Sequence, residues 1–115
     1  MADISQAMRP AGPTVALSVV ATSHAAVDLN VTLPEGGNFV ALINPGAVSV
    51  AVKISQQGVA ATLPVDGTPG DFILPPLMEL PLLIPCAIGP SAPGKITAIG
   101  ATAGPTIIYA TPVTI

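Results

Sequence analysis

The chain is 115 residues long, half of them apolar and only 8% charged, with a net charge of −3. A single core and a single domain fit this length, while the shortage of charge makes the surface largely neutral and favours assembly over life as a free monomer. Arg9, Lys53 and Lys95 are the only basic side chains and aromatics make up 3%, which argues against a phosphate-tracking or base-stacking surface and so against nucleic acid as a partner.

Fourteen prolines and eleven glycines punctuate the sequence, and β-branched residues dominate between them, so the period to look for is two. Residues 1–13 show no clear period and contain Pro10, Gly12 and Pro13; they read as a short extended N-terminal arm, with residues 14–115 forming the domain. Deleting that arm is expected to leave the domain folded. Its single Arg9, with Asp3 before it, does not make the basic flank of a signal peptide.

A first strand is expected over residues 14–22. A second is expected over 25–33, where Val27, Leu29, Val31 and Leu33 alternate with Asp28, Asn30 and Thr32. After a turn at 34–38, strands at 39–43 and 47–54 flank Asn44-Pro45-Gly46, whose residues suit a hairpin loop. In the second of these strands Val48, Val50, Val52 and Ile54 face one way, and Ser49, Ala51, Lys53 and Ser55 the other. A further strand is expected from Gln56-Gln57-Gly58 to Leu63, then a loop over 64–70 and a brief strand at 71–74. The stretch 72–88 is the most apolar in the chain, yet Glu79 and prolines at 75, 76, 81 and 85 leave no unbroken helix to span a bilayer. Its 77–84 segment reads as a strand in which Pro81 marks an edge or bulge. Strands at 95–99 and 106–111 close the pattern around residues 100–105, with Val113 and Ile115 still paired. Eight or nine short strands without helices predict an all-β fold: a two-sheet antiparallel β-sandwich, jelly-roll-like or Greek-key, with a closed small barrel as second choice.

The chemistry-bearing residues are few. His24 is the single histidine, with Asp28 four positions on, and no set of three or four metal ligands surrounds it; a surface role is expected. Cys86, between Pro85 and Ala87, cannot form an intramolecular disulfide and reads as a small buried hydrophobe without a base to activate it. Asp66 and Asp71 flank Gly67 and Gly70 in a manner better suited to turns than to calcium. No Gly-x-Ser-x-Gly element is present, and residues 100–104 lack the Lys-Ser/Thr step of a phosphate loop. The expectation is therefore a non-enzymatic protein with no catalytic, cofactor or metal residues. With no Trp, one Tyr and two Phe, the flat aromatic rows of sugar-binding sandwiches are missing as well.

Two segments, Phe39-Val-Ala-Leu-Ile-Asn-Pro-Gly-Ala-Val-Ser-Val-Ala-Val and the closing Ala98-Ile-Gly-Ala-Thr-Ala-Gly-Pro-Thr-Ile-Ile-Tyr-Ala-Thr-Pro112, carry a resemblance over residues 38–115 to small structural proteins of tailed bacteriophages. It is most similar to the decoration, or cement, proteins on the outside of the icosahedral head. That resemblance implies a β-sandwich forming dimers or trimers on the outer capsid surface of the virion, assembled in the host cytoplasm and bound to the major capsid protein through the arm and one sandwich edge. A head or tail fibre component and a bacterial cell-surface ligand-binding module stand as alternatives.

Overall fold

A computed structural model describes residues 9–89 and 94–115. It contains nine strands: β1 Arg9–Pro10, β2 Val15–Val19, β3 Val27–Asp28, β4 Gly37–Ile43, β5 Val50–Ser55, β6 Phe72–Leu74, β7 Leu82–Ile88, β8 Lys95–Gly100 and β9 Thr106–Thr114. They form two antiparallel sheets. Sheet A runs β1-β9-β4-β7, with β2 also on β9, and sheet B runs β3-β8-β5-β6.

The pairing has one organising rule. β2 pairs with β9, β3 with β8, β4 with β7 and β5 with β6, so the chain folds back on itself as one long antiparallel ribbon with its tip between β5 and β6. The ribbon is rolled so that β4 also meets β9 and β5 meets β8. That is the connectivity of an eight-strand jelly roll, with β1 added beside β9.

The rolled ribbon explains why the Asn44-Pro45-Gly46 segment is not a hairpin, contrary to its local chemistry. β4 belongs to sheet A and β5 to sheet B, so residues 44–49 carry the chain across the sandwich instead of reversing it within one sheet. The 100–105 segment does the same between β8 and β9.

The core lies between the sheets. Leu17, Val19, Val40, Leu42, Ile108 and Ala110 of sheet A meet Val50, Val52, Leu74, Ile96 and Ala98 of sheet B, together with Leu29. At roughly 1.5–3 kcal/mol for each large aliphatic side chain taken out of water, this layer dominates the stability of the fold. The alternation in residues 27–33 holds: Leu29 is fully buried, Val27, Val31 and Leu33 are half-buried, and Asp28, Asn30 and Thr32 are exposed. Only Val27–Asp28 pair as strand, however. Beyond them the Thr32 and Leu33 N–H groups turn to donate to the carbonyl of Ala11 (2.7 and 3.3 Å).

Ala11 changes the reading of the arm. Residues 1–8 lie outside the described residues, but Arg9–Pro10 pair with Thr114 and Val113, and Ala11 is fully buried with its N–H donating to the Pro112 carbonyl at 2.7 Å. The last part of the expected arm is thus sewn into sheet A. The same contact explains a proline inside a central strand. The N–H and C=O of a strand residue point toward the same neighbour, and on that side of Pro112 the chain has stepped out between β1 and β2. No donor of the β4 ladder is lost.

Two other expectations are revised. The segment 56–63 is not a strand; residues 56–71 pass over the outer side of sheet B, where the Thr97 hydroxyl donates to the Val59 carbonyl at 2.7 Å and Ala51, Thr97 and Ala61 are all buried. The strand expected at 77–84 starts only after Pro81 and runs Leu82–Ile88. Pro85 within it sits on the free edge of sheet A, beside a register shift opposite Gly37–Phe39, where its missing N–H costs no ladder bond.

Candidate functional site: two apolar surfaces

Register and burial together divide sheet A into two faces. Val40, Leu42, Ile108 and Ala110 point into the core, so the residues between them point outward. The outward positions are Ala16 and Ser18 on β2, Ile107, Tyr109, Thr111 and Val113 on β9, Phe39, Ala41 and Ile43 on β4, and Leu83, Pro85 and Ala87 on β7. None is charged. Thr14 and Thr111 join their hydroxyls at 2.6 Å on this face; Ala41 and Val113 are already buried within it, and no described strand lies across the remainder, where Ile107 and Tyr109 are exposed.

Sheet B is treated differently. Its outward side carries Lys53, Lys95 and Asp28, closed into the ion pairs Lys53–Asp71 (3.4 Å) and Lys95–Asp28, and the 56–71 segment lies across it. The third described ion pair, Arg9–Glu35 at 3.3 Å, is well exposed at the rim of the sandwich. Exposed pairs of this kind contribute little stability; their position is what matters here. The outer side of sheet B thus carries paired charges, whereas the outward positions of sheet A carry none.

The second apolar surface is a loop cluster at one end. The Leu77 N–H donates to the Gly46 carbonyl at 2.8 Å and the Met78 N–H to the Asn44 carbonyl at 2.9 Å, which fastens residues 75–81 onto the sheet crossing. Met78 packs against the core and its sulfur accepts from the Asn44 N–H at 3.4 Å. Leu77 and Leu80 point the other way, with 69% and 77% of their surface exposed. Leu77 holds φ at +58°, a left-handed conformation that costs a leucine about 1 kcal/mol or more. Met78 is thus half-buried against the core while two leucines of the same loop stand in solvent.

Underneath, Asn44 ties the crossing together. Its side chain is fully buried; the amide donates to the Val48 carbonyl at 2.8 Å, and its oxygen accepts from the Gly46 N–H at 3.3 Å and the Thr106 hydroxyl at 3.4 Å. Gly46 has no room for a side chain, since a Cβ there would run into the Thr106 hydroxyl. An open recess of about 510 Å³, lined by residues 45–48, Pro105, Ser18, Ile107 and Tyr109, lies where the loop cluster meets the sheet A face.

The candidates singled out from the sequence do not converge. His24 donates from Nδ1 to the Ala25 carbonyl at 2.6 Å, while Asp28 is held by Lys95. Cys86 is half-buried beside the core and lines, with Lys53, Asp71 and Phe72, a shallow cleft of about 270 Å³. Burial pushes its thiol above the ordinary value, which keeps it protonated and weakly nucleophilic. Asp71 is pulled upward by partial burial, but hydrogen bonds from the Thr62 N–H (2.7 Å) and hydroxyl (3.2 Å) and from Lys53 outweigh that and hold its carboxyl below the usual range. It pins the end of the 56–71 segment. Asp66 is exposed in the turn bridged by Val65 and Thr68. Among the described residues, no three His, Cys, Asp or Glu side chains gather as a metal site, and no helix is long and apolar enough to cross a membrane.

Comparison with known proteins finds no match among family models, curated proteins or solved structures. The two surfaces therefore have to be read from their own chemistry. Sequence reasoning missed both, although the period-2 pattern of residues 39–43 and 106–113 already contained the first: outward and inward positions are alike uncharged, and most are apolar.

Proposed function

We propose that this chain is a non-enzymatic structural protein of a virion: a decoration protein that binds the outside of a phage head and ties neighbouring major capsid subunits together. The observation that carries the reading is the 75–81 loop, which spends backbone strain at Leu77 to present Leu77 and Leu80 to solvent. The fold gains Met78 and two backbone hydrogen bonds from that loop but buries neither leucine side chain, and exposed leucines on a fixed loop are anchors for a partner's apolar pocket. The jelly roll supports the reading as an architecture shared with capsid domains. Two other users of it, lectins and cupins, depend on aromatic platforms or histidine-rich ligand sets, and this chain has one histidine and 3% aromatics.

The work would be mechanical. Packaged DNA presses outward on a head, and every added contact that bridges two capsid subunits opposes their separation; many copies, each weakly bound, sum to a stable shell. Neutral surface suits this role, because a crowded lattice of like-charged copies would repel itself.

The test is particle composition. Virions purified through a density gradient are analysed by quantitative mass spectrometry, and the chain is expected at a fixed ratio to the major capsid protein, lost together with head stability when its reading frame is deleted. Recovery with tails or fibres only would support the fibre alternative, and absence from particles would refute the decoration reading.

A further inference from the structure

We infer that the outer face of sheet A is where two copies of this chain pair, face to face about a two-fold axis. This pairing does not depend on the capsid reading, since it would occur in dilute buffer without any other protein.

Charge comes first. The outward positions of β2, β4, β7 and β9 hold no Asp, Glu, Lys, Arg or His, and all the described charged groups lie elsewhere. An isologous contact pairs one patch with itself, so a side chain close to the axis meets its own copy and a charge there would meet a like charge, while a charge elsewhere in the patch would be desolvated. A face of Ala16, Ser18, Ile107, Tyr109, Ile43 and Leu83 meets its copy with no such penalty. It also leaves 46% of Ile107 and 38% of Tyr109 exposed in the single chain, which pairing would remove from water.

Area is modest. At about 3.4 Å per residue and about 4.8 Å per strand, the five, seven, seven and nine residues of β2, β4, β7 and β9 give a footprint of about 460 Å². Side-chain relief raises the accessible area above that footprint, toward the lower end of the range for stable interfaces, so the dimer is expected to be a weak one.

The alternative routes are blocked by the chain itself. Growth by strand addition at β7 meets Pro85 and the register shift, and at β6 a three-residue strand followed by Pro75-Pro76. β3 is only two residues long. The outer side of sheet B is occupied by the 56–71 segment. Sheet A is left as the one broad face among the described residues without a partner from its own chain.

Sedimentation equilibrium of the full chain at micromolar concentrations is the test, with twice the 11.3 kDa chain mass expected. Ile107→Lys is expected to weaken the dimer by about 100-fold or more, since a lysine charge would have to be taken out of water at each end of the contact without a partner. Ser18→Lys, at an exposed position paired with Ile107, is expected to act in the same sense without touching the core, and so keeps the test open should Ile107→Lys fail to fold. Mixing Ser18→Lys with Ser18→Glu is expected to restore dimers, and Val65→Lys, on the 56–71 segment, to leave them intact. A wild-type monomer at a hundred-micromolar concentration, or a folded Ser18→Lys that dimerises like wild type, would overturn the inference.

Discussion

Replacing Asn44 by Ala probes the fully buried polar side chain that ties the 44–49 crossing to β9 of sheet A. Three hydrogen bonds are lost: from the amide to Val48, and from Gly46 and Thr106 to the side-chain oxygen. Thr106 is 5% exposed, so its hydroxyl would be left without water or partner at a cost of about 1–3 kcal/mol. The Val48 carbonyl and Gly46 N–H are half-buried and can be partly rehydrated, adding about 1 kcal/mol each at most. The expected loss is about 3 kcal/mol, a large share of the roughly 5–15 kcal/mol that holds a domain together. For a chain of this size that lowers Tm by about 10–20 °C. Urea titration followed by far-UV circular dichroism is the assay, because the chain has no tryptophan. In Asn44→Asp the buried carboxylate should be costlier at neutral pH and partly recover on acidification, when a protonated oxygen can again donate to Val48. A loss below about 1 kcal/mol for Asn44→Ala would refute the view that this side chain fixes the crossing.

Asp71→Asn should cost about 1–2 kcal/mol at neutral pH through its charge-assisted bonds to Thr62 and Lys53. Because the folded carboxyl titrates below its unfolded value, that contribution is present above the unfolded pKa and disappears as pH falls through the folded one. Stability curves for both proteins should therefore converge in acid; a gap that persists or widens there would contradict the assignment. Deleting residues 1–13 removes the buried Ala11 and its bonds to Pro112, Thr32 and Leu33, and is expected to cost about 2–4 kcal/mol by calorimetry, whereas an unchanged Tm would restore the picture of a detachable arm. Leu77→Gly should raise stability by up to about 1 kcal/mol by relieving the left-handed backbone, while weakening attachment to particles. Marked destabilisation would mean that Leu77 serves the fold rather than a partner.

Much of the fold was legible because two-residue periodicity is a local property. Leu29 among Asp28 and Asn30, and Val50 and Val52 beside Lys53, announce strands and their inward faces without any knowledge of neighbours. Pairing was not legible in the same way. Asn44-Pro45-Gly46 has the residues of a reversal, and only the rolled ribbon, set by contacts such as Leu17 with Ile108 opposite in register, decides that it crosses between sheets. Residues 56–63 look like a strand, yet they serve as cover for Thr97 and Ala51. Pro112 lies inside a central strand, and the gap between β1 and β2 that admits it is about 100 residues away in sequence. The functional surfaces were harder still, since an outward apolar residue has the same letter as an inward one. Leu77 becomes informative only when its φ and exposure are known.

The central claim is that the chain acts by binding a viral shell, and cosedimentation tests it most directly. Purified protein is mixed over a range of concentrations with phage heads that lack it, pelleted, and quantified against the major capsid protein. Saturation at one fixed stoichiometry, with weakened binding for a Leu77→Gly, Leu80→Ser double variant that remains folded, is the expected result. A folded chain that stays in the supernatant at every concentration would contradict the account.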